Sequence, residues 1–597
     1  MKTPQNLTDS FESEIAQVLK AGIKAGTEAI EKDQIEIARS IFLALIKTSP
    51  NHPEVNNQLG VTFLKTNEPI NAEKFFKTAI MIDPNVSIYH KNLGLLLYSQ
   101  NRHARAKREL RTALALNPKD QDASYFLARV YMSLGDTNAY KLQLNTVLKN
   151  DPAHLLANND LGILHIAAND FKKAIKYLNQ ASKSLNPPAS TFNNLGHAYS
   201  LQGNIPKALS AFATGSRLDP NNLESLMGLA LIERNCGKIG KALKYAEKAL
   251  SIENKSAPIY NLLGTIQKEN GEFDKAYKSF QAALSIDKDF SPAKVNRGLN
   301  NLQSGKWEKG FLDLEARWKD VDYPSVHPDL KCPIWDGSSL KGKTIFIHHE
   351  QGHGDTIQFI RFLNSLKDFG AKIILDIQPA LLKLITHSDK SIIIQLPNKP
   401  LPEVDFFAPL ISLPHLLKIT SEKDVSGETY LKAPPLNKDK ISRVISKEKF
   451  HIGINWSGNS DHKESYKRDI DPSLFGPLAK LDKVKLINLN IENNSKQPSF
   501  FRDDLDIRNL ISDFYDAAAV INQLDLIISV DTATVHLAGS IGKSCWALIP
   551  FSPDWRWLLE REDTPWYDSM RLFRQPKLGD WKSVMENITT ELQEIIK

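Results

Sequence analysis

The sequence predicts an α-solenoid of stacked helix pairs followed by an α/β region of two doubly wound halves. Small residues recur at an unbroken 34-residue spacing through the first 318 residues. From residue 344 onward, short apolar runs alternate with helical stretches. The length of 597 residues leaves room for both, at roughly 150 residues per domain.

The repeat is the first element. Gly60, Gly94, Ala128, Gly162, Gly196, Ala230, Gly264 and Gly298 stand 34 residues apart, and one step back lands on Gly26. Twelve residues later come Ala38, Ala72, Ala106, Ala174, Ala208, Ala242 and Ala276, with Tyr140 the exception. Small residues at these places let two antiparallel helices approach. Pro50, Pro84, Pro118, Pro152 and Pro220 end one unit and begin the next. Large residues such as Phe42, Phe76, Phe212 and Phe280 are expected to fill between units. Over roughly residues 17–318 the pattern resembles the tetratricopeptide repeat. That implies about nine units across residues 1–318, stacked into a superhelix with a concave groove.

Two residues before the small position stand Asn92, Asp160, Asn194 and Asn296, and one residue earlier Asn57, Asn159, Asn193 and Asn261. A carboxamide both donates and accepts, so a row of them suits an extended peptide backbone. An exposed helix face tolerates asparagine equally well. The track is interrupted by Phe126, Gly228 and Leu262. The pattern resembles the asparagine ladder in the repeat groove of O-GlcNAc transferase, which implies that Asn92, Asp160, Asn194 and Asn296 line a peptide groove.

The period stops after Trp318, and residues 319–343, rich in Pro and Gly, read as a linker. Strands are expected at 344–348, 372–377, 391–396, 451–455, 485–490, 526–530 and 544–549, with helices after most of them. That alternation gives parallel sheets under covering helices. The pattern restarts near Phe450 after a Lys-rich stretch. Two Rossmann-like halves follow, 344–436 and 450–597, whose ligands sit beyond the carboxyl ends of their strands.

Three segments lie at such ends. His348-His349-Glu350-Gln351-Gly352-His353-Gly354-Asp355 follows the first strand and opens a helix. Its glycines permit close backbone approach, and Asp355 is placed for chemistry or for capping. Trp456-Ser457-Gly458-Asn459 runs into a loop bearing His462, Lys463, Lys467 and Arg468, a natural partner for phosphate or a solvated basic loop. Asp531-Thr532-Ala533-Thr534-Val535-His536 joins a strand to a helix of small residues, where hydroxyls and free N–H groups suit a diphosphate. His536 reads equally as a packed core histidine. Asp503-Asp504-Leu505-Asp506 reads as a solvated loop.

Composition bounds the rest. Apolar residues at 42% and charged residues at 24% are those of a globular chain, and the net charge of +6 does not suggest a nucleic-acid binder. Cys236, Cys332 and Cys545 show no metal-ligand spacing. No apolar run reaches the ~20 residues of a membrane span, and residues 1–20 lack a signal-peptide core, so a cytoplasmic protein is expected.

The segments Gln351-Gly352-His353-Gly354-Asp355-Thr356, Trp456-Ser457-Gly458-Asn459 and Ser529-Val530-Asp531-Thr532-Ala533, with His536-Leu537-Ala538-Gly539 and the tail Pro553-Asp554-Trp555-Arg556-Trp557, complete the picture. Together they resemble the glycosyltransferase half that follows tetratricopeptide repeats in bacterial proteins similar to heptosyltransferases, O-GlcNAc transferase and flagellin glycosyltransferases. The resemblance implies a GT-B architecture with the acceptor on the first half and the nucleotide-sugar on the second. It implies metal-independent, inverting transfer to a protein hydroxyl, with no cofactor and a flagellin-like acceptor. Asp355 corresponds to the general base, and Glu350, Gly352, His353 and Gly354 to the acceptor loop. Lys467, Arg468, Asp531, Thr532, Thr534, His536, Ser457 and Asn459 correspond to the nucleotide-sugar site. Two other readings remain open: a scaffold with an inactive transferase domain, and a transferase acting on a glycan or lipid.

Overall fold

The computed structural model describes residues 4–319, 323, 330–396, 399–435, 448–458, 467–490, 498, 500, 507 and 510–597, with side chains from residue 16 onward. Among the described residues, eighteen helices run in nine consecutive pairs from Pro4–Glu31 to Trp307–Leu314. The chain divides into two compact units, Met1–Gly228 and Leu229–Lys597; the second holds the last repeats together with both sheets.

The 34-residue glycine is required by packing. A Cβ on Gly60 would lie 2.6 Å from the ring of Phe76, on Gly162 2.4 Å from Leu178, on Gly196 2.7 Å from Phe212 and on Gly264 2.7 Å from Phe280. The large residue therefore seats on the glycine of its own helix pair. This corrects the expectation that it fills only between units, although Phe212 also reaches Gly228 of the next unit. A second period accompanies the first. Asp33, Asn67, Asn101, Gly135, Asn169, Gly203, Gly237, Gly271 and Gly305 all have positive φ and end the first helix of each pair. The left-handed conformation needed there favours Gly and Asn. Side chains then start many of the second helices: Asp136, Asp170 and Asn204 each accept a backbone N–H three residues on.

The α/β region holds two parallel sheets. The first has order β3-β2-β1-β4, with β1 at Thr344–His348, β2 at Lys372–Asp376, β3 at Ile393–Ile394 and β4 at Phe406–Pro409. The second has order β6-β5-β7-β8-β9, with β5 at Phe450–Asn455, β6 at Val484–Asn488, β7 at Leu526–Val530, β8 at Cys545–Ile549 and β9 at Met570–Arg574. Strands β4 and β9 were not expected: Phe406–Pro409 is short and ends in proline, and Met570–Arg574 carries arginines at 571 and 574. The expected strand at 391–396 shrinks to two paired residues at the sheet edge. Part of the expected linker joins the first sheet, since Phe407 N–H donates to Pro333 O and Trp335 N–H to Phe407 O. Trp335 is buried there, its indole N–H on Ser338 O.

Gly162→Ala is expected to lower stability by about 1–3 kcal/mol, because the methyl group would overlap Leu178. Gly240→Ala, in the helix Ile239–Ile252 with nothing within 4 Å of the added carbon, is expected to be neutral or to gain up to about 1 kcal/mol from helix propensity. Urea denaturation followed by circular dichroism compares the two.

Candidate active site

In the second sheet the strand order reverses between β5 and β7. In a doubly wound sheet the crevice outside the carboxyl ends at such a reversal is where ligands bind. Two of the expected segments leave these two strands. Asn455, the last residue of β5, joins them: its Nδ2 donates to Thr534 Oγ1 at 2.8 Å and Thr532 Oγ1 at 3.2 Å. Thr532 caps the helix Ala533–Ser540, accepting the Thr534 N–H. Ser457 N–H donates to Asn455 Oδ1, and Ser457 Oγ accepts from Asn490 Nδ2 at 2.6 Å. Arg468 closes the group, its Nη1 donating to Asp531 O at 3.0 Å. Glycine at 458 lets the Arg468 guanidinium lie against the backbone, since a Cβ there would lie 2.5 Å from Arg468 Nη2 and displace it.

The β1 segment meets this group from the first half. Gly352 N–H donates to Asp355 Oδ2 at 3.0 Å, which fixes Asp355 in the first turn of the helix His353–Phe359. A Cβ on Gly354 would lie 2.9 Å from His536 Cδ2 and 3.4 Å from Ala533 Cα, so the two turns pack directly. His353 packs its ring 5.0 Å from that of Phe514.

A buried arginine organises the charges. Arg556 Nη2 donates to Asp355 Oδ1, its Nη1 to Asp554 Oδ1 at 2.9 Å and its Nε to Gln358 Oε1. Burial raises the Asp355 carboxyl above the usual aspartate range, with Arg556 opposing. Asp531 is pushed up to about 6, by burial first and by the Asp554 charge second. His536 falls well below the usual imidazole range, because burial and the cations Arg556 and Arg361 all disfavour its charge. A neutral ring lets Nδ1 accept from the Tyr567 hydroxyl at 2.9 Å while Nε2 lies 3.9 Å from Asp531 Oδ1. The ring also stacks on Trp557.

The structure thus brings together Gly352, Gly354, Asp355, Ser457, Arg468, Asp531, Thr532, Thr534 and His536. Other expected residues are placed differently. Glu350 does not face an acceptor: it is buried, accepting from Arg317 Nε at 2.8 Å, Tyr323 Oη at 2.6 Å and Ile411 N–H at 3.1 Å. Lys467 turns its Nζ to Glu269 Oε1 of a repeat helix at 2.7 Å, and Arg234 grips the same oxygen. Asp160 is buried with its carboxylate on Tyr125 Oη at 3.0 Å, inside the repeat rather than on an open track. Asn459, His462, Lys463 and residues 503–506 lie outside the described residues. The carboxamides form pairs one repeat apart: Asn92 donates to Asn57, Asn194 to Asn159 and Asn296 to Asn261, at 2.9, 3.1 and 2.9 Å.

Gln358 and Asn455 had no role assigned to them from the sequence, nor had Asp554 and Arg556, which stand within the tail motif. Their signal was an Asp and an Arg interleaved with two tryptophans beyond the carboxyl end of β8. Among the described residues, no three His, Cys, Asp or Glu side chains gather as metal ligands, and no helix is long and apolar enough to cross a membrane.

Family profiles described as tetratricopeptide repeat match residues 53–86, 97–139, 193–258 and 257–290. The solenoid is built of tetratricopeptide repeats. Protein FlbA of Caulobacter vibrioides is 23% identical over 289 residues, 44% of this chain and 48% of FlbA. Superkiller protein 3 of Schizosaccharomyces pombe is 30% identical over 95 residues, 16% of this chain and 7% of that protein. The chain therefore spans about half the length of FlbA and a small part of the second relative. Among solved structures, PilF of Pseudomonas aeruginosa is similar at 19% identity over 36% of this chain and 96% of that one, with a TM-score of 0.34. Cut9 with Hcn1 is similar at 22% identity, over 42% and 48%, with a TM-score of 0.35.

A carboxyl whose folded-state pKa is raised gives stability that is fully present below its unfolded pKa and lost as pH rises through the folded value. For Asp531 that window runs from the ordinary aspartate value of 3.8 to about 6. Asp531→Asn is therefore expected to gain on the wild type by up to about 3 kcal/mol between pH 4 and pH 7. Thermal melts of both proteins across that range check it.

Proposed function

We propose that this chain transfers a sugar from a nucleotide-sugar to a hydroxyl of a protein held by the repeats. The observation that carries the reading is the meeting of two turns. The hydroxyl-rich turn at the strand-order reversal of the second sheet packs against the turn that presents Asp355 from the first. A GT-B arrangement needs such a place, with donor groups on one half and a base on the other.

In this reading the donor diphosphate lies at the start of the helix Ala533–Ser540, beside the hydroxyls of Thr532, Thr534 and Ser457 and in the positive field of the helix start. Arg468 supplies positive charge beside the Asp531 carbonyl. Lys467 joins it only by leaving Glu269. The acceptor oxygen forms its bond to the anomeric carbon as the bond from that carbon to the diphosphate oxygen breaks. The electron pair leaves with the diphosphate, and the acceptor proton passes to Asp355. A carboxyl raised by burial is a better base than a free aspartate.

The paired carboxamides support a protein acceptor. In each pair one N–H is used between repeats, which leaves the outer asparagine its carbonyl oxygen and the inner one its amide N–H groups. An extended backbone needs that alternation of donor and acceptor.

The direct test is a thermal-shift screen of nucleotide-sugars with EDTA present, followed by intact-mass analysis of co-expressed proteins, flagellins among them. A stabilising donor and a protein heavier by one sugar residue are expected; stabilisation by none would end the reading. Asp355→Asn is expected to retain donor binding and to lower transfer by about 10²–10⁴-fold. Replacing Asn92, Asn194 and Asn296 together by Ala is expected to raise KM for the protein acceptor, roughly ten- to a thousandfold in kcat/KM. Donor hydrolysis without acceptor is expected to stay unchanged.

A further inference from the structure

We infer that Arg556 is the positioning residue for Asp355, a strut sent from the second half of the α/β region to hold the base of the first. This rests on the transferase reading of that same site.

Three observations converge on it. The first is its set of partners. Of the five guanidinium N–H groups, one goes to Asp355, one to Asp554 and one to Gln358. Asp355 and Gln358 belong to the helix His353–Phe359 of the first half, and Asp554 to the loop after β8 of the second. The arginine therefore spans the seam between the turns that Gly354 and Ala533 bring into contact.

The second is rigidity. The guanidinium lies over the Trp555 ring at 4.7 Å and near Phe359 at 5.7 Å, in a side chain only 11% exposed. A planar fork stacked on an aromatic ring holds direction as well as charge, which a lysine does not. Asp355 is thus fixed at both oxygens, Oδ2 by the Gly352 N–H and Oδ1 by Arg556.

The third is charge. Asp355 is faced by Arg556 from the loop after β8, with Asp554 on the far side of the guanidinium. Asp531 and His536 stand on the second half, and Arg468 lies behind Asp531. Burial and Asp554 favour the protonated acid, and Arg556 favours the carboxylate. A base must be ionised when the acceptor arrives, so Arg556 sets the lowest pH at which Asp355 is ready.

Two measurements on the full chain test this. In the first, pH profiles of sugar transfer, or of donor hydrolysis, are compared for wild type, Arg556→Gln and Arg556→Lys. Arg556→Gln is expected to lower kcat by roughly ten- to a hundredfold with donor KM within about threefold, because orientation and not donor binding is lost. Its acid limb is expected to move to higher pH, because the Gly352 and Asp355 N–H groups are then left to oppose burial and Asp554. Arg556→Lys should recover the limb but only part of kcat. An unmoved acid limb, or a raised donor KM at normal kcat, overturns the proposal. The second is a stability cycle of Asp355→Asn, Arg556→Lys and the double variant by thermal melts. Non-additive midpoints are expected, and additive ones overturn the strut. If wild type releases sugar from no donor, the transferase reading fails by itself, and the cycle alone still decides whether Arg556 holds Asp355.

Discussion

The arrangement of the α/β region depends on a buried charge that is not at the candidate site. Glu350 and Arg317 lie almost entirely out of water, with side chains 1% and 3% exposed. Breaking such a pair costs about 3–5 kcal/mol, because the remaining charge is left buried alone. Here both partners are fully engaged. Arg317 donates to Glu350 through two nitrogens and to Ser412, while Glu350 also takes Tyr323 and the Ile411 N–H. Arg317 belongs to the turn that ends the repeats, Glu350 follows β1, and Ile411 follows β4. One ion pair therefore ties the end of the repeats to the carboxyl edge of the first sheet. It also pins the stretch that reaches Asp355 five residues later.

Packing extends that tie. One apolar cluster contains Leu302, Trp307, Phe311 and Leu314 from the last repeat, Ile345 and Ile347 of β1, and Trp555, Trp557 and Trp566 of the second half. Trp307 stacks on Trp566 with centroids 5.1 Å apart, and Gln303 Nε2 donates to Pro553 O at 2.8 Å. The C-terminal repeats are part of the core under the candidate site, and the loop that carries Arg556 rests on them. This explains tryptophans at 555, 557 and 566: large flat side chains bridge three elements that no single helix face joins.

The repeats were legible because their constraint is local and repeated. A small residue recurs every 34 residues, and where it is glycine, as at 60, 94, 162, 196 and 264, it receives a side chain sixteen residues later; a left-handed residue recurs at the same period. The strands β1 and β7 were legible as short apolar runs bounded by turns. Phe406–Pro409 and Met570–Arg574 were not, because a proline or a pair of arginines hides a strand whose pairing is decided by neighbours distant in sequence. The site was half legible. Gly354, Asp355, Asp531 and Thr532 stand out as turn chemistry at strand ends. Partners are a different matter. Nothing local distinguishes Glu350, which turns inward, from Asp355, which stays at the seam. Nothing local tells that Lys467 meets Glu269, 198 residues away.

The charges at the seam follow from one competition. Burial penalises every ion there, so Asp355 and Asp531 shift toward the neutral acid and His536 toward the neutral base. Arg556 resists the same pressure and stays charged, because Asp554 and Asp355 flank it. Arg556, a retained cation among carboxyls that burial shifts toward the acid, gives a site whose charge is set by what enters it. A diphosphate would find Arg468 and the helix start already positive, with Asp531 able to take a proton rather than repel it. In the proposed transfer, Asp355, on the other side of Arg556, is drawn back toward the carboxylate that an incoming hydroxyl requires. The guanidinium thus places two buried carboxyls in different surroundings: Asp355 is held directly by Arg556, while Asp531 stands beyond it beside His536, and on the proposed reading that difference is what would give them different tasks.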